Sequence, residues 1–168
     1  MDEEPIFAVE LKRFEPHTVR SGRGHRDVKS QLREAIVGAA GAEAVEAARV
    51  RAREERLRID VEFRLWKGGD GVTETRAKKD LDNLLKPVMD ALQTSTDAQK
   101  TSPGLGLIET DDSVFEIVAR KRIVDDVEDE GLRIRIERMP EEGAGTLERM
   151  DRAGGEPAVG QAGRDGGP

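Results

Sequence analysis

A chain of 168 residues, 38% charged and 36% hydrophobic, with one Trp, four Phe and no Tyr, is sized for one domain whose core is mostly Val, Ile and Leu. No cysteine excludes a disulfide framework and a thiolate metal site, and two histidines are too few for zinc without several carboxylates. The formal charge of −7 argues against a nucleic-acid partner, although residues 2–4 and 140–168 contribute −3 each and leave about −1 for residues 5–139.

The first five residues lack the basic region and apolar run of a signal peptide, and no apolar stretch approaches the ~20 residues that span a bilayer. The expected location is therefore cytoplasmic. Residues 6–12 read as a first strand, and 13–27 as a basic, turn-rich loop carrying Arg13, Arg20, Arg23 and Arg26. A helix is expected from Asp27, with Val28, Leu32, Ile36 and Val37 on one face and interruptions at Gly38 and Gly41. The Ala/Glu/Arg-rich stretch 42–57 has helix propensity but a thin apolar face. Residues 57–65 alternate with period two, as a strand with one wet face does, and Trp66 ends it as a core or interface residue.

Leu81, Leu84, Leu85, Val88, Met89 and Leu92 then form a full helical stripe, interrupted chemically by Pro87, where a kink or a loosened first turn is expected. Residues 93–107 read as a long polar loop. Two strands follow, 114–119 and 132–137, joined as a hairpin through a solvated acidic turn at 125–131. This irregular alternation implies an α+β fold, a mixed β-sheet with helices packed on one face. Residues 1–139 make the domain, and 140–168, rich in Gly, Pro and charge, are expected to be a disordered tail.

Asp80 and Asp82 flank Leu81, which belongs to the buried stripe. In an extended approach to a helix, side chains at i and i+2 point the same way, so both carboxylates can leave the core together. One such Asp is explained by capping the helix and complementing its positive end. The segment supplies two. Asp82, Lys86 and Asp90 are four residues apart on the polar face, with Asn83 beside them. They form either a ladder of ion pairs or a device that points Lys86 at a phosphate. Asp111 and Asp112 precede an apolar strand. Gathered at one sheet end, Asp80, Asp82 and Asp112 would make an all-oxygen site for Mg²⁺ or Mn²⁺, as a metal-dependent phosphodiesterase requires. The glycine and glutamate of an EF-hand loop are missing at their offsets, and the scarcity of aromatic residues disfavours a glycosidase. His17 and His25 read as loop residues.

Residues 79–92, Lys-Asp-Leu-Asp-Asn-Leu-Leu-Lys through Asp-Ala-Leu, together with Ile-Glu-Thr-Asp-Asp-Ser-Val at 108–114, resemble the signature of RusA-type Holliday-junction resolvases. The resemblance implies a RusA-like fold and a Mg²⁺-dependent endodeoxyribonuclease, acting as a homodimer on four-way DNA junctions in recombination and repair. It makes Asp80, Asp82 and Asp112 the metal-binding catalytic aspartates, Asp111 the first member of the Asp-Asp pair and a further metal ligand, and Lys86 the catalytic lysine. Lys121 resembles a basic residue of the following strand. The DNA contacts expected are Arg20, Arg23, Lys79, Asn83, Arg120 and Lys121, with affinity that falls as salt rises. The N-terminal part departs from the family, because no Pro-Pro-Ser-x-Asn type segment follows the first strand. The loop between Leu92 and Asp111 is also longer than expected. Two other readings are a flap or branched-DNA nuclease of the same fold and a non-catalytic junction-binding protein.

Overall fold

A computed structural model describes residues 4–17, 25–68, 79–94 and 103–140. Period-two alternation becomes one buried sheet face. In β1 (Phe7–Lys12) the inward residues are Phe7, Val9 and Leu11. In β2 (Leu57–Trp66) they are Leu57, Ile59, Val61, Phe63 and Leu65. The strand β3 (Val114–Val124) lies at one edge, and β4 (Gly131–Arg138) contributes Leu132, Ile134 and Ile136 to the interior. The sheet order is β1-β4-β2-β3, with β4 antiparallel to both neighbours and β3 parallel to β2. Three α-helices among the described residues join this face in one core. The opposite face is wet and carries ion pairs such as Arg64–Glu10 and Arg120–Asp60, both at 2.8 Å. The fold is α+β with a mixed sheet, and no described helix is long and apolar enough to cross a membrane.

The expected hairpin of the last two strands does not form, because β2 lies between them. Burial explains the choice. The inward side chains of β4 are fully enclosed and fill an interior position, whereas Ile117 and Ile123 of β3 stay exposed as an edge permits. The acidic connection is solvated as expected over 125–129, but it crosses the end of β2, where Glu130 is buried. The Trp66 amide donates to Glu130 Oε1 at 3.2 Å, its indole Nε1 to the Asp125 carbonyl at 3.2 Å, and Lys67 Nζ pairs with Asp125 at 2.6 Å.

Hydrogen bonding and charge from Lys67 hold the Asp125 carboxyl below its ordinary value of 3.8. A carboxylate depressed in the folded state stabilises it above the unfolded pKa, and that contribution fades as pH falls through the folded pKa. In Lys67→Met, carboxyl NMR should find Asp125 titrating higher, back near 3.8. An unchanged midpoint would assign the shift to another group.

The helix α1 (His25–Ala40) starts before Asp27 and runs through Gly38; the break comes at Gly41, whose φ of 88° suits glycine. The following helix, α2 (Ala42–Ala52), stops short of residue 57. Its only buried side chains are Val45, Ala48 and Ala52, and Glu54 at φ 63° turns the chain into β2. The stripe at 81–92 becomes α3 (Leu81–Leu92), which continues through Pro87. The carbonyl that the proline leaves without its usual donor belongs to Asn83, an exposed residue in the first turn.

The supposedly polar loop after α3 ends in three buried residues, Leu105, Leu107 and Ile108. The Arg49 guanidinium donates to the Leu105 carbonyl at 2.9 and 3.1 Å, and Leu107 N to the Leu92 carbonyl at 2.8 Å. Gly104 is required here, since a Cβ would lie 1.7 Å from the Gln93 carbonyl oxygen. The expected tail lies almost wholly outside the described residues.

Candidate active site

The site region is built where α3 begins, at the end of the sheet to which β1, β2 and β3 point. Lys79 fixes it there. Its Nζ donates to Glu15 Oε1 at 3.0 Å and the Pro16 carbonyl at 2.7 Å, while its own carbonyl accepts from Lys121 Nζ at 3.0 Å. The segment before the helix is thus tied to the chain after β1 and to the far half of β3. The Lys79 side chain is only 15% exposed, so its cation serves this latch rather than an open surface.

Asp80 occupies the N-cap of α3 with extended backbone, and its carbonyl accepts from Leu84 N at 3.1 Å. Its carboxylate makes no capping hydrogen bond and is instead approached by Asn83 Nδ2 at 3.5 Å. Capping therefore does not account for this acid. Asp82 is exposed in the first turn, and Leu81 between them packs partly against the core. Lys86 is exposed one turn further, and no ion pair joins it to Asp82 or Asp90 among the described residues. The ladder of ion pairs is absent. Two carboxylates and an ammonium stand on one wet face of a helix rooted by Leu84 and Val88.

Asp111 and Asp112 are placed elsewhere. They form a short 3-10 turn (Asp111–Ser113) directly before β3, and Gln93, the residue that caps the other end of α3, donates from Nε2 to Asp111 Oδ1. At ~1.5 Å per residue, the twelve residues of α3 put ~18 Å between its ends. Consistently, no group of three or more His, Asp or Glu able to hold a metal is present among the described residues. Hard carboxylate oxygens suit Mg²⁺ or Mn²⁺, and among the described residues Asp80 and Asp82 stand together at the start of α3 without the Asp111–Asp112 pair. The three-aspartate set expected from the sequence is not gathered within a single copy.

The basic residues also separate. Lys121 is in register with Phe63, on the helix side, whereas Arg120 is in register with Glu62, on the wet face, where it pairs with Asp60. Adjacent strand residues cannot share a face, so the expected DNA contacts Arg120 and Lys121 divide between the two faces. Asn83 is exposed beside Asp82. Arg20 and Arg23 lie outside the described residues, as does His25 as far as its side chain is concerned, and His17 is an exposed loop residue. Gln93 and the latch of Lys79 with Glu15 and Pro16 gave no signal in the sequence, since each joins residues far apart in the chain.

No protein-family model and no curated protein matches the chain.

Proposed function

We propose that the protein is a Mg²⁺-dependent, structure-selective endodeoxyribonuclease of RusA type that cuts four-way DNA junctions. The observation that carries the reading is the exposed group Asp80, Asp82, Asn83 and Lys86 on the first turns of α3, with neither capping nor ion pairing to explain it. A hard divalent ion bound to such carboxylates lowers the pKa of its water and neutralises charge on a phosphodiester. The chain's own contribution is positional. Burial of Leu84 and Val88 fixes the helix, the Lys79 latch fixes its start, and Lys86 offers a compact positive charge where phosphate charge develops. Lys121, on the same side of the sheet, adds a second cation to hold the strand being cut.

The substrate class is tested by incubating the purified protein in Mg²⁺ with a four-way junction, a flap and a linear duplex of shared sequence. Symmetrical nicks in the junction, with the other two left intact, are expected. Preferential flap cutting would replace the junction with a different branched substrate. Tight junction binding without cutting in any arm would leave a DNA-binding protein.

A further inference from the structure

We infer that His17 is a substrate-contacting residue of this site: its imidazole donates a hydrogen bond to a backbone phosphate of the strand that crosses the start of α3. The ligand of this contact rests on the nuclease reading above; its test does not require cutting.

His17 is held at the site by its neighbours in the chain. Pro16 is buried and its carbonyl accepts from Lys79 Nζ at 2.7 Å, while Glu15 Oε1 takes the same ammonium at 3.0 Å. Both bonds come from the residue that directly precedes Asp80. The backbone that carries the imidazole is therefore tied to the backbone that carries the carboxylates.

The flank on which His17 stands follows from what it lines. It borders a small cavity together with Leu84, Pro87 and Val88 of α3. Asn83 and Pro87 are four residues apart and share one row of the helix surface. A group beside Pro87 is thus on the flank of Asn83, and Lys86, three residues from Asn83, lies on the adjoining row. Every other described side chain lining the cavity is apolar, so none of them takes up the ring nitrogens.

Sheet topology sets His17 across from Lys121. The strand β1, whose continuation leads to His17, lies at one edge of the sheet, and β3 lies at the other. Lys79 joins the two, because its carbonyl accepts from Lys121 Nζ at 3.0 Å while its own Nζ reaches residues 15 and 16. The acids and Lys86 are bracketed by an imidazole from one edge and an ammonium from the other. Asp80 and Asp82 repel a phosphate until a cation covers them, and donors at the margins supply the attraction that the carboxylates cannot.

The imidazole is free for this contact. His17 is exposed, and no hydrogen bond or ion pair engages it among the described residues. Mg²⁺ prefers oxygen ligands, so the ring serves the strand rather than the ion.

His17→Phe keeps a ring beside Leu84 and Pro87 and removes the donor, whereas His17→Gln returns a side-chain N–H. Fluorescence anisotropy with a labelled four-way junction, with Ca²⁺ in place of Mg²⁺, compares them with the wild-type protein. The Phe variant is expected to bind about tenfold more weakly, as for one lost hydrogen bond to a charged group, and the Gln variant to recover most of that loss. Replacing junction phosphates one at a time with uncharged methylphosphonates locates the contact. At one phosphate the wild-type protein should lose about as much as the Phe variant did, and the Phe variant should lose nothing further there. Additive losses at every phosphate overturn the proposal, as does a Phe variant that binds like wild type. Loss of Mn²⁺ binding by the Phe variant in electron paramagnetic resonance also overturns it, by making His17 a metal ligand. A protein that binds the junction through His17 but cuts nothing in Mg²⁺ keeps this contact and loses the nuclease reading. Cutting that is indifferent to His17 does the reverse, and a protein that binds no DNA loses both.

Discussion

Replacing Asp82 with Asn is expected to reduce junction cutting by at least ~10²-fold while leaving the protein folded. Asn keeps the size and loses the charge, so any ion or proton held by that carboxylate loses its partner. The folded state has little at stake. Among the described residues Asp82 is exposed, accepts no hydrogen bond and pairs with no cation, so only its favourable position near the helix N-terminus is lost, at no more than about 1 kcal/mol. Single-turnover cleavage and thermal unfolding on the same preparation check both halves. Unimpaired cutting by the variant would remove Asp82 from the site. A collapse in stability would make it a structural acid.

Replacing Phe63 with Ala should cost ~3–5 kcal/mol of stability, the range for deleting a large buried aromatic side chain. Phe63 is 1% exposed on the second-innermost strand, flanked by Leu132 of β4 and Lys121 of β3. It lines the same small pocket as Leu84, Pro87 and Val88, so it forms the floor under the first half of α3. The loss should therefore reach the helix that carries Asp82 and Lys86. Equilibrium urea unfolding measures the cost, and a change under 1 kcal/mol would mean that neighbouring side chains collapse into the vacated space.

Where local patterning dictates structure, the sequence was a good guide. Period two in 57–65 and the stripe at 81–92 became a buried strand and a helix, because each pattern has one way to bury its apolar face. The place of Asp80 at the helix start was legible too, but not that its carboxylate makes no capping bond there. Strand neighbours were not legible. Pairing of β2 with β3 and β4 depends on long-range burial that a short connection at 125–130 conceals. The apolar Leu105, Leu107 and Ile108 were hidden by the polar residues before them. The acidic pairs, 29 residues apart or more, looked like one cluster because spacing along the chain does not say which end of a helix a later turn will meet. Gln93 decides that, by holding Asp111.

If the exposed acids and lysine of α3 cut branched DNA, the reaction must follow the divalent ion. Cleavage of a four-way junction by the wild-type protein, with Mg²⁺ present and then removed by chelation, tests it most directly. Symmetrical nicks that appear with Mg²⁺, vanish on chelation and return when the ion is restored are the predicted result. An intact junction under all three conditions, with the protein folded and bound to it, would mean that these side chains do not cut DNA.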